Sequence, residues 1–130
     1  MPRAYTVATA ALALNVSVKW LDNTVSHFRV QGVDQSRQGV ARKFSIESLT
    51  ILAISIAIVR DLDAPVRNAI NIATQLVQSH GNVTLPGGVM ITVDVDKTSA
   101  LLFERLEHAV EIAPLPRRGR PPKKTTGRLD

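Results

Sequence analysis

The chain has 130 residues, with 45% hydrophobic, 21% charged and only 4% aromatic side chains, which is the composition of one ordinary domain with an aliphatic core. It contains no cysteine, which excludes a disulfide framework, a thiolate zinc site, an iron–sulfur cluster and a cysteine nucleophile. The longest strongly apolar run, residues 49–59, is about half as long as the roughly 20 residues that a membrane-spanning helix needs, so we expect a cytoplasmic protein.

The net charge of +5 is distributed unevenly along the chain. Residues 1–60 hold seven basic and three acidic groups, residues 61–113 hold three and seven, and residues 114–130 hold six and one. A basic first half and a basic tail predict a polyanionic partner on two parts of the surface. The acidic segment between them predicts a different role.

The first elements of the chain are predicted to be two short helices. Thr6 is a suitable N-cap for a helix over residues 7–14, which is rich in alanine. Residues 15–17 break this helix, and Ser17 caps a second helix over residues 18–27. Two short helices joined by a three-residue turn predict a helix-turn-helix.

A hairpin and a long apolar helix follow. Gly32 and Gly39 bracket short extended segments, with the returning strand predicted over residues 40–44. Ser45 then caps a third helix that extends to about Leu62 and is apolar on almost every side. Such a helix lies either at the centre of a core or against a partner.

The second half of the chain predicts a fourth helix, another hairpin and a last helix. The fourth helix begins at Asp63-Ala64-Pro65 and extends to about Ser79, before Gly81. The hairpin covers residues 83–95 around the turn Pro86-Gly87-Gly88. Asp96 is expected to cap the last helix, which extends to about Ala113 and has an inward stripe at Leu102, Leu106, Ala109, Val110 and Ala113.

The second helix carries side chains suited to a DNA groove. Its predicted outward face holds Lys19, Trp20, Asn23 and His27, while Val18, Leu21, Val25 and Phe28 are predicted to face inward. Asparagine can bond an adenine edge, lysine a guanine or a phosphate, and tryptophan a sugar or a thymine methyl group. The alternative is an ordinary solvated helix face, with the tryptophan covering a neighbouring loop.

Residues 5–76 resemble the winged helix-turn-helix domain of the MerR family of bacterial regulators. In the first two helices the resemblance is carried by Tyr5-Thr6 before Ala10, Leu12 and Ala13, by Asn15-Val16-Ser17 in place of the family's Gly-Val-Ser turn, and by Leu21, which matches a leucine of the recognition helix. Further along the chain it is carried by Arg42-Lys43-Phe44-Ser45 with Leu49 at the end of the wing, and by Leu62-Asp63-Ala64-Pro65-Val66 before the fourth helix. It implies a DNA-binding role, with Ser17 at the start of the recognition helix and Arg42 and Lys43 of the wing along the phosphate backbone. Asp22 and Asn23 stand where the family normally has arginine and an aromatic residue, which shifts the expected backbone contacts to Lys19 and the wing.

The tail contains a second DNA-binding pattern, similar to an AT-hook. The core of that motif is Arg-Gly-Arg-Pro, because arginine is drawn into the narrow, negative minor groove of A·T tracts and glycine lets the backbone approach the groove floor. The prolines keep such a chain extended, and the lysines meet phosphates. The alternative is a generic basic tail. The residues that match the pattern are Arg117, Arg118, Gly119, Arg120, Pro121, Lys123 and Lys124.

These patterns predict a mainly α-helical protein with small β-hairpins (α+β). We divide it into a winged helix-turn-helix domain (1–80), a hairpin-helix extension (81–113) and a disordered basic tail (114–130). The extension is predicted to build a homodimer interface, and the competing interpretation is that it closes the core of the monomer.

The predicted function is sequence-preferring binding of double-stranded DNA by a nucleoid-associated bacterial or phage transcriptional regulator, with the tail in an A·T-rich minor groove. The alternatives are a nucleoid-organising protein and a protein-interaction adaptor or antitoxin-like module. No histidine spacing suits a metal site and no Ser/His/Asp set can be placed, so we predict a non-enzyme without metal or cofactor. Any small-molecule effector stays open.

Overall fold

A computed structural model describes residues 4–34 and 41–112. In these ranges the chain forms five α-helices and two antiparallel two-stranded sheets, which confirms the predicted mainly helical α+β class. Gly39, predicted to precede the returning strand of the first hairpin, and the tail lie outside the described residues. The elements, in chain order, are α1 (Val7–Leu14), α2 (Val18–His27), β1 (Val33–Asp34), β2 (Lys43–Phe44), α3 (Ile46–Leu62), α4 (Val66–Gln78), β3 (Asn82–Thr84), β4 (Met90–Thr92) and α5 (Val95–Ile112).

Hydroxyl caps begin three of the helices where the sequence predicts them. The side-chain oxygens of Thr6, Ser17 and Ser45 each accept the N–H group three residues further on, at 3.2, 3.0 and 3.1 Å. Each such bond satisfies an N–H group that has no partner inside the helix. The starts of α1, α2 and α3 are therefore set by residues that adjoin them.

The prediction that Asp96 caps the last helix is wrong. Asp94 does so, since its Oδ1 accepts the N–H of Lys97 at 3.0 Å, and α5 begins one residue later at Val95. The strand before it is correspondingly shorter than predicted. The ladder reaches the N–H of Val93, which donates to the carbonyl of Gly81 at 2.8 Å, and the chain then turns into the helix.

Left-handed residues end α1 and α4 in Schellman geometry. Asn15 has φ 58°, and the N–H of Val16 donates to the carbonyl of Ala11 at 3.0 Å. Asparagine tolerates this conformation better than most residues with a Cβ atom, so it can replace glycine in the turn between α1 and α2. At the end of α4 the same bond joins the N–H of Gly81 to the carbonyl of Leu76 at 2.7 Å.

Helix α3 lies at the centre of the core. It packs against α4 on one side and against α5 and α1 on others, and its buried apolar residues are Leu49, Ile51, Leu52, Ile54 and Ile58. Its nearly continuous apolar surface is thus largely covered within the chain.

Helix α5 also belongs to this core, because it packs on α1 and α3. The predicted inward positions Leu102, Leu106 and Ala109 are buried. Val110 was predicted to face inward as well and is exposed, since it lies about 100° around the helix from Ala109. Ala113 lies outside the described residues. The stripe expected to form a dimer interface is therefore used inside the chain.

The base of the first hairpin is anchored beside α1. Phe44 is fully buried, lies opposite Val33 in the ladder and exchanges backbone hydrogen bonds with Tyr5 at 2.8 and 2.9 Å. Within the described residues the returning strand is Lys43–Phe44, shorter than the predicted 40–44. No helix in 4–34 or 41–112 combines the length and apolar character needed to cross a membrane.

Candidate nucleic-acid interface

Helix α2 presents a polar stripe to solvent. Leu21 and Thr24 are buried against the core, whereas Lys19, Asn23 and Ser26 are exposed. Residues four and seven positions apart share one side of a helix, so these three side chains form a continuous face. Lys19 and Asn23 are the two predicted contact residues of the helix that the structure places together on this face.

Two predicted orientations on α2 are wrong. Trp20 is only partly exposed and packs against the core cluster, while Val18, predicted to face inward, is 43% exposed. Relative to the predicted orientation, α2 is rotated about its own axis. Its buried side is centred on Leu21 and Thr24, with Trp20 and Val25 at the two edges. The indole of Trp20 therefore serves mainly to cover the core. Ser17 is exposed, and its hydroxyl oxygen is engaged by the N–H of Trp20.

An ion pair joins α2 to the first hairpin. The guanidinium of Arg42 donates to Asp22 Oδ1 at 3.0 Å and to the hydroxyl of Ser26 at 2.8 Å. Ser26 in turn donates to the carbonyl of Asp22 at 2.7 Å. The sequence predicts that Arg42 lies along the phosphate backbone of DNA, and in the structure its guanidinium is held on the exposed side of α2. The sequence feature that indicates this contact is Asp22, an acidic residue at a position where the MerR-type pattern normally has arginine.

The remaining cations of this surface have no acidic partner. Within 4–34 and 41–112 the Arg42–Asp22 contact is the one ion pair, so Lys19 and Lys43 are exposed without a carboxylate within salt-bridge distance. The ring of His27, on the last turn of α2, bonds the carbonyl of Asn23 through Nδ1 at 2.7 Å. The side-chain amide of Asn23 makes no hydrogen bond among the described residues and is exposed.

Two arginines that sequence reasoning did not single out lie beside this surface. Arg29 lies two residues after the end of α2, and Arg67 lies near the start of α4 with its guanidinium carbon 5.6 Å from the centre of the Phe28 ring. Their proximity depends on how α2 and α4 pack, which no local pattern reveals. The predicted AT-hook residues, Arg117 to Lys124, lie outside the described residues.

Among the described residues there is no group of three or more His, Cys, Asp and Glu side chains that could hold a metal ion. Comparisons of the chain with models of protein families, with curated proteins and with solved structures found no match.

Proposed function

We propose that this protein binds double-stranded DNA, with α2 as the recognition helix in the major groove and the first hairpin beside the phosphate backbone. The observation that carries the proposal is the face of Lys19, Asn23 and Ser26, which is polar, exposed and joined to the hairpin through Arg42. A recognition helix needs donors and acceptors that point away from the core on a rigid support, and both conditions are met here.

The chemistry of this face matches base edges and phosphates. The amide of Asn23 is able to bond N6 and N7 of adenine together, and Lys19 is able to bond guanine or a phosphate. Lys43 on β2 supplies a phosphate contact, which positions the protein without reading sequence. From Lys19 to His27 the helix rises about 12 Å, comparable to the width of the major groove, so the contact spans about three to four base pairs.

The basic tail extends the proposed interface. Arg118-Gly119-Arg120-Pro121 is similar to the core of an AT-hook, so we place it in an A·T-rich minor groove close to the site that α2 occupies. Two weak sites on one chain bind more tightly than either alone, because the second binding event takes place at a high effective concentration.

The resemblance to MerR-type regulators supports a winged helix-turn-helix architecture and a role in transcriptional regulation. The order of two helices, a hairpin and two further helices agrees with what that resemblance implies. The polar face of α2 lies on the second helix, where such domains carry their recognition helix.

The test is selection of binding sites from random duplex DNA, followed by footprinting. We expect the full chain to enrich a short preferred sequence, and the Lys19→Ala/Asn23→Ala variant to lose the enrichment. Lys97→Ala is the matched control, because Lys97 is also exposed but lies on α5 among acidic residues. No enrichment by the wild type, together with no salt-dependent binding to any duplex, would refute DNA binding.

A second candidate function, a protein-interaction module, is favoured by an apolar groove that has no lining residue on α2. The groove has a volume of about 290 Å³ and is lined mainly by the second half of α3 and by β4. Leu62, which lines it, is 64% exposed. Exposed apolar surface of this kind is typical of protein contacts. A binding partner that is lost in Leu62→Ser, with DNA binding intact, would assign this surface.

A further inference from the structure

A continuous groove lies between the end of α2 and one side of α4. Three cavities of about 260, 250 and 580 Å³ share Arg29 as a lining residue, so they adjoin one another. We call this surface the arginine groove. Its polar lining includes, from the hairpin side towards the C-terminal half of α4, Arg42, His27, Arg29, Arg67, Asn71 and Gln75.

The charge of the arginine groove is of one sign. Three arginines line it, and none of its described lining residues is Asp or Glu. Arg29 and Arg67 are exposed and form no ion pair with any described residue. Arg42 is paired with Asp22, so the unpaired charge of the groove is that of Arg29 and Arg67. Two guanidinium groups without carboxylates, beside neutral amide donors, favour an anion with several acceptor oxygens, which is the chemistry of phosphate.

Arg67 is held ready for such a ligand. Its guanidinium lies 5.6 Å from the centre of the Phe28 ring, and contact with an aromatic face restricts the side chain while its N–H edges stay free. It is also the second residue of α4, at the end where the helix dipole is positive and cations are disfavoured. The first turn of α4 contains no acidic residue to offset this charge. A bound anion there would relieve the repulsion.

We propose that the arginine groove is a phosphate-binding site occupied by the sugar–phosphate backbone of DNA next to the bases that α2 reads. The inference rests on the proposed function and adds a second region of backbone contact to it. A polymer fits better than a compact ligand, because the arginines are distributed along adjoining open cavities. Arg42 lines the first cavity and also contacts Asp22 and Ser26 of α2, so the groove is continuous with the recognition face.

The experiment measures how strongly salt weakens binding of the full chain to a scrambled 20-base-pair duplex. The test variant is Arg29→Gln/Arg67→Gln. The control, Arg60→Gln/Arg105→Gln, removes the same charge from exposed positions on α3 and α5. Since each phosphate contact contributes about 0.9 to the slope of log K against log salt, we expect the test variant to lose about two units and the control to lose almost none. Circular dichroism checks that both variants are folded.

The outcomes separate this site from the proposed function. If the wild type binds DNA and the test and control variants give the same slope of log K against log salt, the phosphate-binding role of the arginine groove is refuted while DNA binding stands. If the wild type binds no duplex, the proposed function fails, and titration with pyrophosphate tests the groove alone through the side-chain amide NMR signal of Asn71. A shift in the wild type that is absent from the test variant would keep the phosphate site, with a free phosphorylated compound as its source. No shift would overturn it.

Discussion

Replacing Asp22 with asparagine tests whether the ion pair on α2 restrains the affinity for DNA. Asparagine keeps the shape of the side chain and removes its charge, so the contact with Arg42 weakens without leaving a void. The proposed recognition face then loses its acidic group, and the guanidinium of Arg42 becomes available to a phosphate. We expect Asp22→Asn to bind scrambled duplex DNA more tightly than the wild type does.

The magnitude follows from the exposure of the pair. The side chains of Arg42 and Asp22 are 21% and 44% exposed, and pairs this close to solvent contribute about 0–1 kcal/mol to folding. We therefore expect the free energy of unfolding to fall by only about 0.5 kcal/mol. One additional phosphate contact raises the salt slope by about 0.9. We expect this contact to strengthen binding by about 1 kcal/mol, which corresponds to roughly fivefold tighter binding at low salt.

The assay is fluorescence anisotropy of a labelled duplex at several salt concentrations. Asp96→Asn is the control, because it removes the same charge from an exposed position on α5, far along the chain from α2. Equal tightening in both variants would mean that net charge alone acts. Weaker binding by Asp22→Asn would refute the reasoning, since it would mean that DNA binding needs the hairpin held on α2.

Four further results are expected. Asn23→Ala should relax base preference at one position and cost about 1–3 kcal/mol on the preferred site. Arg42→Ala should weaken all sequences alike, because it leaves the carboxylate of Asp22 without its partner beside the proposed recognition face; the same selection experiment measures both. Deleting residues 114–130 should lower the salt slope by about two to five units, and an unchanged slope would remove the tail from the mechanism. Leu106→Ala should destabilise the fold by about 2–5 kcal/mol in urea denaturation, because the side chain is fully buried where α5 meets the rest of the core. Because the inward stripe of α5 is used inside the chain, the predicted homodimer is expected to use the exposed side that carries Phe103 and Val110, seven positions apart. Light scattering should then give twice the chain mass of 14.1 kDa, and Phe103→Ser should restore the single mass without unfolding; a mass of 14.1 kDa in the wild type would refute the dimer.

Features that depend on a few neighbouring residues were predictable from the sequence. The bounds of α1 and α2, the caps at Thr6, Ser17 and Ser45, and the stop at Gly81 all agree with the structure. A cap bonds a group only three residues away, and an apolar stripe repeats within about one helical turn, so both can be recognised from neighbouring residues in the sequence. The cap of α5 shows the limit of such local prediction. Asp94 and Asp96 are similar candidates two residues apart, and the choice of Asp94 depends on where the preceding strand ends.

Features that join distant parts of the chain were decided only by tertiary structure. The contact of Arg42 with Asp22 spans twenty residues, α5 covers α1 from the other end of the chain, and the arginine groove needs Arg29 and Arg67 on different elements. The rotation of α2, which half-buries Trp20 and leaves Lys19 and Asn23 exposed, likewise depends on what the helix packs against. Periodicity shows that a helix has an apolar side but leaves its edges undetermined, because those edges are set by the shape of the neighbouring elements.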